Sequence, residues 1–88
     1  MAASLLEVYP NPAATFSEVQ VRVPNLEGVR GSMLAIYDSR GTLLAQMPVT
    51  EQLVKLEGVR LSAGFYNVVL TGPARQHLHT QRLVVTGQ

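Results

Sequence analysis

The sequence predicts an all-β domain, an immunoglobulin-like antiparallel β-sandwich of about seven strands, and three observations carry that expectation. Short segments rich in β-branched and aromatic residues recur along the chain. Turn signals built from Gly, Pro, Asn and Asp separate them at roughly 8 to 12 residues. No stretch carries the 3.6-residue apolar period of a helix, so no helix is expected.

Taken in order, Leu5 to Tyr9 reads as a short apolar strand that must stop at Pro10-Asn11-Pro12, because each proline ring fixes φ and removes a ladder donor. Ala13 to Ser17 reads as a connection. Val19, Val21 and Val23 then alternate with Gln20 and Arg22, the period-two pattern of a strand with one dry and one wet face. Pro24-Asn25 closes it, and Leu26 to Gly31, with two glycines and opposite charges, reads as a surface loop.

Ser32 to Asp38 is the third expected strand, with Leu34 and Ile36 inward and Met33, Ala35 and Tyr37 on a partly covered face. Asp38-Ser39-Arg40-Gly41 is a hairpin turn: the Asp carboxylate can accept from backbone donors ahead of it, and Gly readily takes a positive φ. Thr42 to Met47 returns as a fourth strand, placed at an edge because Pro48 lies near its end. Gln52 to Leu56 makes a fifth and Glu57 to Ala63 a loop. Phe65 to Leu70 is the most strongly strand-forming segment of the chain. Apolar residues on both of its faces suggest burial in the middle of the sandwich, and Gly64 marks the turn into it. After a turn at Thr71-Gly72-Pro73-Ala74, His77 to Val85 forms the last strand, with Leu83 and Val85 on one face.

An 88-residue chain with 47% hydrophobic and 15% charged residues suits one folded domain with a modest core. A net charge of +1 offers no electrostatic footprint for nucleic acid. With no Cys, thiolate metal sites, thiol nucleophiles and disulfides are all excluded. No apolar run reaches the roughly 18 to 20 residues that span a bilayer, and the N-terminus lacks a signal-peptide pattern. Residues 1–4 are expected to be an added start or a linker, and residues 5–88 a single sandwich at the tail of something larger. Leu26-Glu27-Gly28-Val29-Arg30 recurs as Leu56-Glu57-Gly58-Val59-Arg60; without matching flanks, two similar loops are expected rather than a repeat architecture.

Few residues suggest chemistry. His77 and His79 stand at i and i+2, which would put both on one strand face, but Gln76 and Gln81 are poor third ligands. They read as solvent-facing histidines. Ser39, Ser62 and Thr80 lack a neighbouring base, and the acids Glu7, Glu18, Glu27, Asp38, Glu51 and Glu57 fall mostly in turns or at strand ends. Tyr9, Tyr37 and Tyr66 could form a platform for sugars or peptides, though core packing is the plainer reading. The expectation is a module without an active site, cofactor or metal.

Three motifs, taken together, point further. They are Leu6-Glu7-Val8-Tyr9-Pro10-Asn11-Pro12, Leu34-Ala35-Ile36-Tyr37-Asp38-Ser39-Arg40-Gly41 and Leu61-Ser62-Ala63-Gly64-Phe65-Tyr66-Asn67-Val68, followed by the basic-apolar end Gln81-Arg82-Leu83-Val84-Val85. In this order they resemble the C-terminal sorting domain of type IX secretion cargo, the Por-type secretion tail of Bacteroidetes-type bacteria, in its type A form. By position, Pro10, Asn11 and Pro12 match the family's opening turn and Gly41 its hairpin glycine. Gly64 and Tyr66 match its GxY element, and Arg82, Leu83 and Val85 its terminal strand. Thr42 and the ending Thr86-Gly87-Gln88 depart from the basic residues common there.

The resemblance implies an address label on a larger cargo. The cargo domain would precede this chain, cross the inner membrane with its own signal, and pass from the periplasm to the cell surface or medium. The implied partners are the outer-membrane translocon and a sortase-like cysteine protease that removes the tail at or before the start of this chain. Gly64 to Val68 is expected mainly to make the fold, and Gln81 to Val85 mainly to contact the machinery. An extracellular adhesion or carbohydrate-binding sandwich and a structural spacer of a surface enzyme are the alternatives, and exposed edge strands allow a weak homodimer by strand addition.

Overall fold

A computed structural model describes residues 6–25, 30–54, 56 and 60–87. Seven strands run through them: β1 (Glu7–Tyr9), β2 (Gln20–Arg22), β3 (Met33–Asp38), β4 (Leu43–Pro48), β5 (Leu53–Val54), β6 (Gly64–Thr71) and β7 (His77–Val85). They form a three-stranded sheet in the order β1-β2-β5 and a four-stranded sheet in the order β4-β3-β6-β7. Every strand pair is antiparallel. The expected immunoglobulin-like sandwich is the fold.

The alternation in the sequence sets which residues meet between the sheets. Val19, Val21 and Val23 are buried while Gln20 and Arg22 are exposed, so the segment has the one dry and one wet face that its pattern predicts. From the larger sheet Leu34, Ile36, Tyr66, Val68, Leu70, Leu83 and Val85 point into the same core, opposite Leu6, Val8, Val21 and Val54. Each such side chain removed from water contributes about 1.5–3 kcal/mol. The core therefore runs along the facing surfaces of two sheets, and no described residue forms a third layer behind either.

That two-layer arrangement corrects one expectation. β6 sits between β3 and β7 within its sheet, but it is buried on one face only, and Phe65 on the other face is 59% exposed. The apolar residues on both sides of this strand had suggested burial on both. A second correction concerns the connection after Pro12. Phe16–Glu18 makes a single 3₁₀ turn, in which the buried Phe16 ring joins the core and the Glu18 carboxylate accepts the Ala14 N–H at 2.8 Å.

The third correction is local. Thr71 pairs with His77 and Leu70 with His79, so Leu78 is an extra residue in β7. Adjacent residues of β6 face opposite sides, and the bulge therefore puts His77 and His79 on opposite faces. Leu78 turns against the core, and the His77 ring meets the Thr80 hydroxyl at 2.6 Å. Among the described residues no group of His, Cys, Asp and Glu could hold a metal ion. The two Leu-Glu-Gly-Val-Arg segments fall largely on residues 26–29 and 57–59, outside the described residues.

Candidate recognition site at one end of the sandwich

Asp38 pairs with Tyr66 and Tyr66 with Leu83. The register thus sets the β3–β4 hairpin, the start of β6 and the end of β7 side by side. The motif residues, scattered over more than 70 positions, gather at this end of the molecule.

The hairpin is built as its residues dictate. One carboxylate oxygen of Asp38 accepts the backbone N–H groups of Arg40 and Thr42, both at 2.9 Å. Gly41 takes φ +86°, a conformation that costs an L-residue about 1–2 kcal/mol, and donates its N–H to the Asp38 carbonyl at 3.0 Å. The donated hydrogen bond from Thr42, aided by the Arg40 N–H and the Arg40 charge, holds the Asp38 carboxyl below its ordinary range against a smaller opposing desolvation.

Gly64 and Tyr66 form a corner. The Tyr66 hydroxyl donates to the Ser62 carbonyl at 2.6 Å, so the chain is tied back on itself as it enters β6. A Cβ on Gly64 would lie 3.5 Å from that hydroxyl; the ring stands over the glycine, which has φ +157°. A Cβ would make only ordinary contact with the ring, so it is the φ, one that L-residues rarely adopt, that favours glycine two positions before the tyrosine. The ring is buried, as the core reading of Tyr66 expected, whereas Tyr37 is half-buried and Tyr9 is 40% exposed on the other sheet. The three tyrosines make no common platform.

The opening turn reaches the last strand. Asn11 donates its side-chain amide to the Arg82 carbonyl and accepts the Val84 N–H at 3.0 Å. Immediately beyond, Ala13 donates to the Val84 carbonyl and accepts from Thr86 N–H, both at 2.8 Å. Asn11 and Ala13 together act as a short surrogate strand along the outer edge of β7. The peptide bonds before Pro10 and Pro12 are cis. Pro10, Asn11 and Pro12 are themselves exposed.

Of the last-strand residues singled out from sequence, Leu83 and Val85 are core, at 0% and 2% exposure. Arg82 is exposed on the opposite face and stands over the Phe65 ring, its guanidinium carbon 6.0 Å from the centroid. Half-buried Val84 lies opposite Phe65 in the register. The solvent-facing part of this site is therefore Phe65, Arg82 and Val84, an apolar patch carrying one cation. Phe65 and Val84 were not singled out from sequence. The signal available was parity: both alternate with the buried residues Tyr66, Leu83 and Val85.

An open groove of about 850 Å³ lies beside it, between β4 and the segment 60–66, with Arg40, Leu44, Met47 and Arg60 among its walls. Asp38, Ser39 and Ser62 also line it, but the Asp38 carboxylate is taken up by the Arg40 and Thr42 N–H groups and the Tyr66 hydroxyl by the Ser62 carbonyl; what this end of the molecule offers is a shaped surface on a double sheet. Its class is that of a β-sandwich whose first and last strands are locked together around a GxY corner. The chain belongs to the secretion system C-terminal sorting domains: that family's model matches residues 7–86, nearly the whole chain. These are the type IX, or Por-type, sorting domains, so the chain has a type IX C-terminal sorting role, and the family is not an enzyme family.

Two solved structures resemble the fold. PorZ, an essential bacterial surface component of the type IX secretion system of Porphyromonas gingivalis, aligns with a TM-score of 0.67 and 27% identity. The alignment covers 91% of this chain and 11% of the PorZ chain. CopC from Methylosinus trichosporium OB3b aligns with a TM-score of 0.57 and 18% identity over 91% of this chain and 85% of that one, a likeness of fold alone. No curated protein matches the chain.

Proposed function

We propose that residues 5–88 form one sorting unit, that residues 1–4 are an added start or a linker, and that the unit hands a larger cargo to the outer-membrane translocon of the type IX system as a folded shape. The Phe65, Arg82 and Val84 surface is the contact, and Pro10, Asn11, Pro12, Gly41, Gly64, Tyr66, Leu83 and Val85 hold it in place. A sortase-like cysteine protease then removes the domain at or before its first strand, leaving the cargo on the surface or in the medium.

The convergence of the family motifs on one end of the sandwich is the observation that supports this reading most. A contact made of alternate residues on two paired strands exists only in the folded state, since a one-residue slip would turn Phe65, Arg82 and Val84 inward. Recognition of the fold is then also a check that the tail has folded.

The test is a fusion of the chain to a periplasmically exported fluorescent protein in a host carrying type IX machinery. Arg82→Glu and Phe65→Ser are tested beside it, with circular dichroism of each purified domain. The fusion is expected at the surface or in the medium, shortened by its tail, and the two folded variants should be held back in the periplasm. A folded parent that stays in the periplasm would sink the sorting reading; normal export of both variants would remove the contact from this face.

A further inference from the structure

β4 is a six-residue edge strand without a single charged residue, Leu43-Leu44-Ala45-Gln46-Met47-Pro48. Natural edges are commonly blunted by charge, bulges or covering segments. Here a bulge at Leu44, where Ile36 pairs with Ala45 and Tyr37 with Leu43, and a terminal proline are the devices present. Leu43 and Leu44 are nevertheless 47% and 41% exposed. The Val49 N–H bonds the Ser32 carbonyl at 3.0 Å. By alternation the peptide groups of Met47 face β3, while those of Gln46 and Pro48 face outward. Pro48 has no N–H, so its outward position leaves no orphan donor. Among the described residues no strand pairs with the outward Gln46 peptide, and the segment 60–66 stands across the open groove that Gln46 lines.

Opposite charges stand beyond the two ends of this strand, one in the hairpin turn before it and one in the segment that crosses to β5 after it. Arg40 stands six residues before Gln46 and Glu51 five residues after it, and both are exposed. Two copies placed antiparallel about a two-fold axis at Gln46 exchange a pair of backbone hydrogen bonds there. The same arrangement turns the Arg40 end of each copy towards the Glu51 end of the other, so the two charges attract at a distance. A parallel arrangement would set like charges together instead.

We infer that the β4 edge is a self-association surface, through which two copies of this chain join their four-stranded sheets into one by an antiparallel two-fold pairing centred on Gln46. The inference does not rest on the sorting reading. A contact of one short strand is small, which places the dimer among weak, concentration-dependent associations.

Sedimentation equilibrium of the purified chain across micromolar to millimolar concentration tests it. The mean mass should climb towards twice the monomer value. Arg40→Glu and Glu51→Arg should each weaken association about tenfold at low salt, and the double reversal should restore it, because the attraction is re-formed with signs exchanged. Gln46→Pro removes the outward donor without touching the bonds to β3 and should abolish association. Should that variant fail to fold, the charge series, made at exposed side chains, decides alone. A chain that stays monomeric at millimolar concentration, or a double reversal no better than the singles, would overturn the inference.

Discussion

The four-stranded sheet has two edges, and the molecule treats them differently. Along β7, Asn11 and Ala13 occupy the outward peptide groups of Arg82, Val84 and Thr86. Along β4 no described strand pairs with the outward side, and the side chains near it are exposed leucines and a glutamine. The difference has a topological cause. β1 packs over β7 across the sandwich, so the segment leaving β1 is already at hand to cover that edge, whereas β4 returns from a tight hairpin and, among the described residues, no strand pairs with its outer side, the segment 60–66 standing across an open groove from it. The opening-turn motif and the terminal strand meet at the covered edge, whereas the Asp38 to Gly41 turn leads into the open one, so closing the fold around its last strand is the duty of the first pair alone.

The largest effect that would sharpen this contrast lies in the inward row of β7. Leu83→Ala truncates a fully buried side chain and should cost about 2–5 kcal/mol. Leu44→Ala, at a similar hydrophobic residue on the open edge, should fall within about 0.5 kcal/mol of the parent. Urea unfolding of the two variants measures both. Equal losses would mean that the β4 edge is packed as tightly as β7.

Next comes the cover itself. Asn11→Ala removes two hydrogen bonds that join positions more than 70 residues apart and should destabilise by about 1–2 kcal/mol, at roughly 1 kcal/mol or less for each solvent-accessible bond. Hydrogen exchange gives the more telling reading: the Val84 amide should lose protection selectively, while amides of β3 and the middle of β6 keep theirs. Uniform loss would make Asn11 a general stabiliser, without a particular duty at the β7 edge. Gly41→Ala, at φ +86° with open space around its Cβ position, should cost about 1–2 kcal/mol through backbone strain alone. Its thermal unfolding midpoint is the measurement.

Much of this was legible in the sequence because it is local. The alternation of Val19, Val21 and Val23, the Asp38 to Gly41 turn and the edge position of β4 each follow from a few adjacent residues. Phe65 was misplaced because apolar residues on both faces of a strand do not reveal how many layers the fold has. The Leu78 bulge was hidden for a related reason: a pattern of alternation cannot show where one residue is left unpaired. The duty of Asn11 was out of reach for another reason. A motif resemblance marked the residue, but its partners lie at the far end of the chain, and only the packed sandwich brings them within hydrogen-bonding distance. The face proposed as the contact was half legible, with Arg82 singled out and its aromatic neighbour Phe65 assigned to the interior.

The smallest effect distinguishes the turn at the β4 side from the cover at the β7 side by pH. The Asp38 carboxyl is held below its ordinary value of 3.8 chiefly by the Thr42 N–H, so near that pH the unfolded chain binds more protons than the folded one. Stability therefore rises with pH through this window. The contribution is fully present above about pH 4 to 5 and is lost as pH falls through the lowered folded value. The group is solvent-exposed, and the effect should accordingly be slight. Asp38→Asn should flatten the acid limb of a stability-pH curve measured by urea unfolding between pH 2.5 and about 6, whereas Asn11→Ala, which removes no ionisable group, should lower that curve without changing its slope. If Asp38→Asn leaves the acid slope intact, the acid sensitivity resides in other carboxylates, and the hairpin's hold on β4 owes nothing to the charge of its turn.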